Sequence, residues 1–173
     1  EYYKKSGKWP YDYITVDTIT ALEDLAIPYA EKLYSHKPQG KNWFKMENKV
    51  LAADSGKAQY GNILNLPNGA GYMYIREAMT SVINYIKKLA PRIILVCHVK
   101  ETLLEKAGAE FTANDIDLTG KMKRIITSQS DAIGYMYRKG TNENYISFAT
   151  SDTVICGARP AHLKNKTILL SKY

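Results

Sequence analysis

Asp17 closes the strand-like part of the run Tyr-Asp-Tyr-Ile-Thr-Val-Asp-Thr-Ile-Thr, residues 11–20. Small and β-branched residues precede it, which places it at the carboxyl end of a short strand. In an open α/β sheet that edge is where ligands bind. A carboxylate there, followed by the hydroxyl of Thr18, has the chemistry to hold Mg²⁺ directly or through water. The plainer reading is that Asp17 caps the helix that follows. His98 falls in a second apolar run, Arg-Ile-Ile-Leu-Val-Cys-His-Val, residues 92–99. If the two strands are neighbours, His98 stands beside Asp17 and reaches a phosphate or an attacking water. A strand-end histidine making structural hydrogen bonds is the alternative.

The other reactive side chains give weaker patterns. Cys97 and His98 are adjacent, so on a strand they point to opposite faces and form no nucleophile–base pair. Cys156 and His162 have no second pair to complete a zinc site, and His36 falls in a loop. The two cysteines, Cys97 and Cys156, lie in apolar runs and read as buried free thiols, although spacing alone does not exclude a disulfide. No G-x-x-x-x-G-K-[ST] occurs, since Asp-Ser-Gly-Lys-Ala and Asn-Gly-Ala-Gly-Tyr both fail the pattern.

Charge is unevenly placed along the 173 residues, whose net charge is +7. Residues 119–140 hold five Lys or Arg against one acid, and residues 159–173 hold four against none. A basic C-terminal third fits a polyanion partner, either nucleic acid or nucleotide phosphate. Lys121, Lys123, Arg124, Lys164 and Lys166 are the candidate phosphate contacts, and Arg159 and Lys164 share a basic loop that follows a strand. A solvated basic surface is the competing reading. The 14 tyrosines, interleaved with lysines in Glu-Tyr-Tyr-Lys-Lys-Ser-Gly-Lys-Trp-Pro-Tyr, could stack bases or serve as half-buried aromatics. No run approaches the length of a membrane helix, and the N-terminus has no signal-peptide core.

The elements that position these residues follow from periodicity. Residues 13–17 read as a buried strand. A helix follows, with Thr20 and Glu23 at capping-box spacing. Leu22, Leu25, Ala26, Tyr29, Ala30 and Leu33 fall on one face of it, and Pro28 predicts a kink or break. Residues 35–71 read as a long insertion or loop with one short helix. The clearest helix spans 72–90, on Ile75, Met79, Val82, Ile83, Ile86 and Leu89. Residues 92–99 then read as a strand covered on both faces. A helix over 117–130, a hairpin of Asp-Ala-Ile-Gly-Tyr-Met-Tyr-Arg with Asn-Tyr-Ile-Ser-Phe-Ala-Thr, and a last strand at 167–170 complete a single α/β domain over residues 1–173.

Taken in order, these pieces resemble a family. The strand ending Val-Asp-Thr, the strand ending Cys-His-Val-Lys-Glu, the Leu-Thr-Gly-Lys…Ser-Asp-Ala-Ile-Gly-Tyr-Met-Tyr-Arg segment and the late Gly-Ala-Arg-Pro look like the RecA-like P-loop ATPases of phages and prophages. These are AAA-type nucleotide-binding proteins linked to single-strand annealing and recombination. The resemblance covers about residues 11–165. It implies a three-layer core with a mainly parallel sheet and a C-terminal β-hairpin. It also implies ATP and Mg²⁺ as cofactors, single-stranded DNA as partner, side-by-side homo-oligomers with nucleotide at the interface, and the cytoplasm of a bacterial host. By resemblance Asp17 matches the Walker B aspartate and Thr18 the small polar residue after it. His98 matches the polar residue ending the sensor strand, as a catalytic group. Gly120 and Lys121 match the pair opening the helix before the Asp131 strand. Arg159 matches a basic residue facing nucleotide or a neighbouring subunit. The Walker A strand and loop have no counterpart here. The expectation is the downstream part of a longer ATPase, which the absence of an initiator Met favours, with a degenerate scaffold that binds nucleic acid or serves assembly as the alternative.

Overall fold

The computed structural model describes residues 7–46, 63–106 and 109–172. It separates into two compact units, residues 1–97 with 118–120 and residues 98–117 with 121–173.

In the first unit, β1 (Ile14–Asp17) pairs in parallel with β2 (Ile93–Val96), Ile14 opposite Ile93 and Asp17 opposite Val96. Parallel neighbours need a long crossover. It contains α1 (Ile19–Ser35), α2 (Pro38–Met46), two 3₁₀ turns (Ile63–Asn65 and Pro67–Gly69) and α3 (Ala70–Ile86). The span expected as insertion or loop, 35–71, therefore begins and ends in helical structure, and its stretch 47–62 lies outside the described residues. α1 packs against α3. Ala26, Ala30 and Tyr34 of α1 are buried, as are Tyr74, Ile75, Ala78, Met79 and Ile83 of α3. The Tyr34 and Tyr74 rings sit 5.0 Å apart. Glycine is required where backbones meet: a Cβ at Gly40 would overlap the Tyr34 carbonyl, and one at Gly71 the Ile63 carbonyl.

Several expectations for this unit are corrected. α1 continues through Pro28, so no break lies there. Its buried stripe is Ile19, Glu23, Ala26, Ala30, Glu31 and Tyr34, whereas Leu25 and Tyr29 face solvent. The N-cap is Thr18, whose hydroxyl accepts from the Ala21 N–H at 3.2 Å, and Thr20 lies inside the helix. α3 ends at Ile86, with Lys87 as its C-cap. β2 is covered on one face only, since Ile94 is 51% and Val96 38% exposed. No further described strand lies against the pair.

In the second unit, β3 (Val99–Lys106) and β4 (Ala109–Ile116) form an antiparallel pair that the sequence pattern did not announce. α4 (Met122–Gln129) follows, burying Met122 and Ile126. The segment read as one strand after it divides at Gly134. Residues before it form β5 (Ala132–Ile133), paired with β8 (Gly157–Ala158). Residues after it form β6 (Tyr135–Lys139), the edge of an antiparallel sheet with β7 (Glu143–Ser147) and β9 (Thr167–Lys172). A Cβ at Gly134 would collide with the Ile146 side chain. The β6–β7 hairpin stands as the sequence predicted, its turn using Gly140 at φ 63°. Among the described strands, β1 and β2 pair in parallel and the other pairs are antiparallel.

Candidate functional site

Asp17 occupies the last position of β1, on the carboxyl edge of the parallel pair. Sheet alternation puts it on the same face as Thr15, and registry puts it level with Val96. It is exposed, and among the described residues nothing hydrogen-bonds or pairs with its carboxylate. The Asp17–Thr18 peptide bond is cis. The capping alternative for Asp17 is answered by Thr18, whose hydroxyl takes that duty. This leaves the Asp17 carboxylate free for a ligand, while the Thr18 hydroxyl keeps its own proton to donate.

The residues here fit Mg²⁺ only in part. Among the described residues, no group of three or more His, Cys, Asp or Glu comes together as a self-sufficient metal cage. One free carboxylate and one hydroxyl suit an ion held largely by water and substrate phosphates, which is the usual manner of Mg²⁺.

His98 follows β2 and opens the second unit. It is exposed, and its carbonyl accepts the Asp117 N–H at 3.0 Å, closing the base of the β3–β4 pair.

The basic candidates divide by what they already do. Lys123 is ion-paired with Asp115, whose side chain is only 13% exposed. Arg159 stands at the C-terminal end of α4. Its guanidinium donates to the Ser128 carbonyl at 2.6 Å and lies 3.7 Å from the Asp131 carboxylate, and its N–H donates to the Asp131 carbonyl. A cation at a helix C-terminus is favoured by the helix dipole. Arg159 therefore ties α4 to the β8 segment. Lys121, at the N-cap of α4, and Arg124 are exposed, as are Lys164 and Lys166 near β9.

The thiols sit in half-buried positions, and both are free. Burial pushes the Cys97 and Cys156 thiols above the ordinary range, and the Cys156 thiol donates to the Ala149 carbonyl at 2.8 Å.

Two arrangements escaped the sequence reading. Glu23 is 6% exposed and accepts three hydrogen bonds from Thr119: the N–H at 3.0 and 3.2 Å and the hydroxyl at 2.8 Å. The capping-box spacing with Thr20 masked this role. The second is a row of rings: Tyr135, Tyr137 and Tyr145 stack with centroids 5.8 and 5.6 Å apart. The i, i+2 spacing of Tyr135 and Tyr137 was the available signal. The lysine–tyrosine interleaving noted at the N-terminus falls partly on residues 1–6, outside the described residues.

A family model described as an AAA domain matches residues 4–159. No curated protein and no solved structure gives a significant match.

Proposed function

The chain belongs to the AAA domain family, whose α/β fold is that of the P-loop nucleotidases, and from that premise we propose that Asp17 is its Walker B aspartate, in a RecA-like ATPase that acts on DNA in recombination, annealing or repair. The family gives the chain a nucleotide-binding, ATPase-like character. One observation carries the finer reading: the carboxylate at the carboxyl end of β1 is exposed and unspent, because Thr18 caps α1 in its place.

In this reading ATP and Mg²⁺ are the cofactors. Bound Mg²⁺ neutralises charge that develops on the transferring phosphate. Asp17 would hold the ion through its carboxylate, with the Thr18 hydroxyl beside it able to donate a hydrogen bond. His98 is the proposed contact for the attacking water or terminal phosphate. Arg159 secures α4 within its own unit through Ser128 and Asp131 and is the proposed contact for a neighbouring subunit's nucleotide. The basic residues Lys121, Arg124, Lys164 and Lys166 are the phosphate contacts for single-stranded DNA. Lys123 contributes less, since Asp115 already holds it. Side-by-side homo-oligomers with nucleotide at the interface complete the proposal. No described helix is long and apolar enough to cross a membrane.

The test is Mg²⁺-dependent ATP hydrolysis by the intact protein. Asp17→Asn keeps size and removes charge, and turnover is expected to vanish. Turnover equal to the parent would refute the assignment. A second reading rests on the exposed basic residues Lys121, Arg124, Lys164 and Lys166. It makes the chain a nucleic-acid-binding module on a degenerate scaffold, with salt-sensitive DNA binding that ATP does not alter.

A further inference from the structure

The β6–β7–β9 sheet holds its three tyrosines on one face. Tyr135 and Tyr137 are two apart on β6, and Tyr145 lies directly opposite Tyr137 on β7. Neighbouring rings are 5.8 and 5.6 Å apart and tilted by only 20° and 17°. This is offset stacking repeated into a ladder. The two outer rings are fixed through their hydroxyls. Asn114 donates to the Tyr135 hydroxyl at 3.3 Å, and the Tyr145 hydroxyl donates to Glu143 at 2.7 Å. The middle ring, Tyr137, is 36% exposed, and no described residue hydrogen-bonds to its hydroxyl. A cross-strand pair would stabilise the sheet without a third ring and without this exposure.

Charge flanks the ladder along the strands. Lys139 shares the tyrosine face at one end, opposite Glu143. At the other end Tyr135 is level with Ser147, which is level with Thr167, and Lys166 immediately precedes Thr167. Lys164 lies just beyond it. Residues 121–173 hold nine Lys or Arg against three acids. Of those acids, Asp131 faces Arg159 and Glu143 is engaged by Tyr145. A partner with flat aromatic groups joined by anions is complementary to rings set between cations. Duplex DNA hides its base faces, whereas a single strand offers them.

We propose that Tyr135, Tyr137 and Tyr145 form a base-stacking platform for a single strand of nucleic acid, its phosphates running between Lys139 and the Lys164–Lys166 loop. This deepens the DNA-binding part of the function proposed above and rests on it. The rings are held in place before the strand arrives, which lowers the ordering cost of binding.

The experiment measures anisotropy of a labelled oligothymidylate with the full chain at low salt, with oligouridylate and a duplex as parallel probes. Tyr137→Leu keeps apolar bulk and removes the aromatic face. It is expected to weaken single-strand binding about 5- to 150-fold, from the worth of one stacked base, with the melting temperature retained. Tyr137→Phe is expected to bind as the parent does, and a 2-aminopurine in the strand is expected to be quenched by the parent and not by Tyr137→Leu. If Tyr137→Leu lowers the melting temperature, the quenching by the parent and by Tyr137→Phe decides the matter: its absence in both overturns the platform. Parent-like affinity of a folded Tyr137→Leu overturns the platform but leaves DNA binding standing, provided Lys164→Ala or Lys166→Ala still weakens it. Tighter binding of duplex than of either single strand also overturns the platform. No binding of any probe overturns the platform and the DNA reading together. Binding of only one of the two single strands supports the platform and identifies which nucleic acid it takes.

Discussion

Replacing Glu23 by Ala tests whether this carboxylate anchors the 118–120 segment. The parent makes hydrogen bonds from the Thr119 N–H and hydroxyl to a charged acceptor that is 6% exposed. Each such bond contributes about 1.5–3 kcal/mol. Thr119 is exposed on its outer side, so water recovers part of the loss. The lower end therefore applies, about 3 kcal/mol for the two donors. For a chain of this length that is a fall of about 6–12 °C in melting temperature, at about 2–4 °C per kcal/mol. A capping role would cost about 0.5–2 kcal/mol and would be indifferent to Thr119. The decisive assay is a double-mutant cycle by thermal or urea unfolding, with Glu23→Ala and Thr119→Val. The hydroxyl bond alone should appear as a coupling of about 1.5 kcal/mol. A coupling within about 0.3 kcal/mol of zero would show that the Glu23–Thr119 contact does not hold the segment in solution.

Four further outcomes follow from the same contacts. Gly71→Ala should destabilise the first unit by about 1–3 kcal/mol, although Ala is the better helix former, because its Cβ overlaps the Ile63 carbonyl; a rise in melting temperature would contradict the packing. Cys97 and Cys156 should react slowly with a thiol reagent near neutral pH and quickly once the chain is unfolded, which a timed titration reads directly. Their folded pKa values are raised, so the stability they contribute is full below the unfolded thiol value of about 8.5 and is lost as pH rises through the folded values; stability that increases with pH across that window would reverse the sign. Lys164→Ala should reduce the salt slope of DNA binding by about one unit, whereas Lys123→Ala should change it little and instead cost about 1 kcal/mol of stability through Asp115; equal slopes for the two variants would place Lys123 among the phosphate contacts.

The legible parts of the fold were those where one period dominates. α3 shows its 3.6-residue stripe because Ile75, Met79 and Ile83 are all buried in the helix that packs against α1. The β6–β7 hairpin shows itself through alternation around Gly140. α1 misled because two glutamates sit in its buried stripe, Glu23 and Glu31, while Leu25 and Tyr29 lie outside it. A hydrophobic pattern cannot find a face that tolerates charge because the charge is hydrogen-bonded, as Glu23 is by Thr119, 96 residues away in sequence. The β3–β4 pair went unread because Val-Lys-Glu-Thr-Leu-Leu-Glu-Lys mixes helical and strand residues and its partner strand decides between them. At the candidate site, Asp17 was legible from its place after β-branched residues. That Thr18 would relieve it of capping was not, because both residue types cap helices.

The exposed face of the β1–β2 pair bears on the chemistry of Asp17. Ile94 and Val96 project from that face, and registry sets Thr15 and Asp17 beside them. Parallel sheets are ordinarily covered on both faces, and two short strands are fewer than an independently stable sheet needs. Cover over Ile94 and Val96 would bury apolar area favourably, at about 25 cal/mol per Å². The same cover would strip water from the Asp17 carboxylate, since that group is level with Val96. An ionised carboxylate without a partner resists this by several kcal/mol, more than two partly exposed side chains return. A cover for this face therefore has to bring a counter-charge or hydrogen-bond donors to Asp17. Asp17→Asn, which removes the charge, should therefore make covering the face easier, and a parent-like tendency to bury Ile94 and Val96 would contradict this coupling.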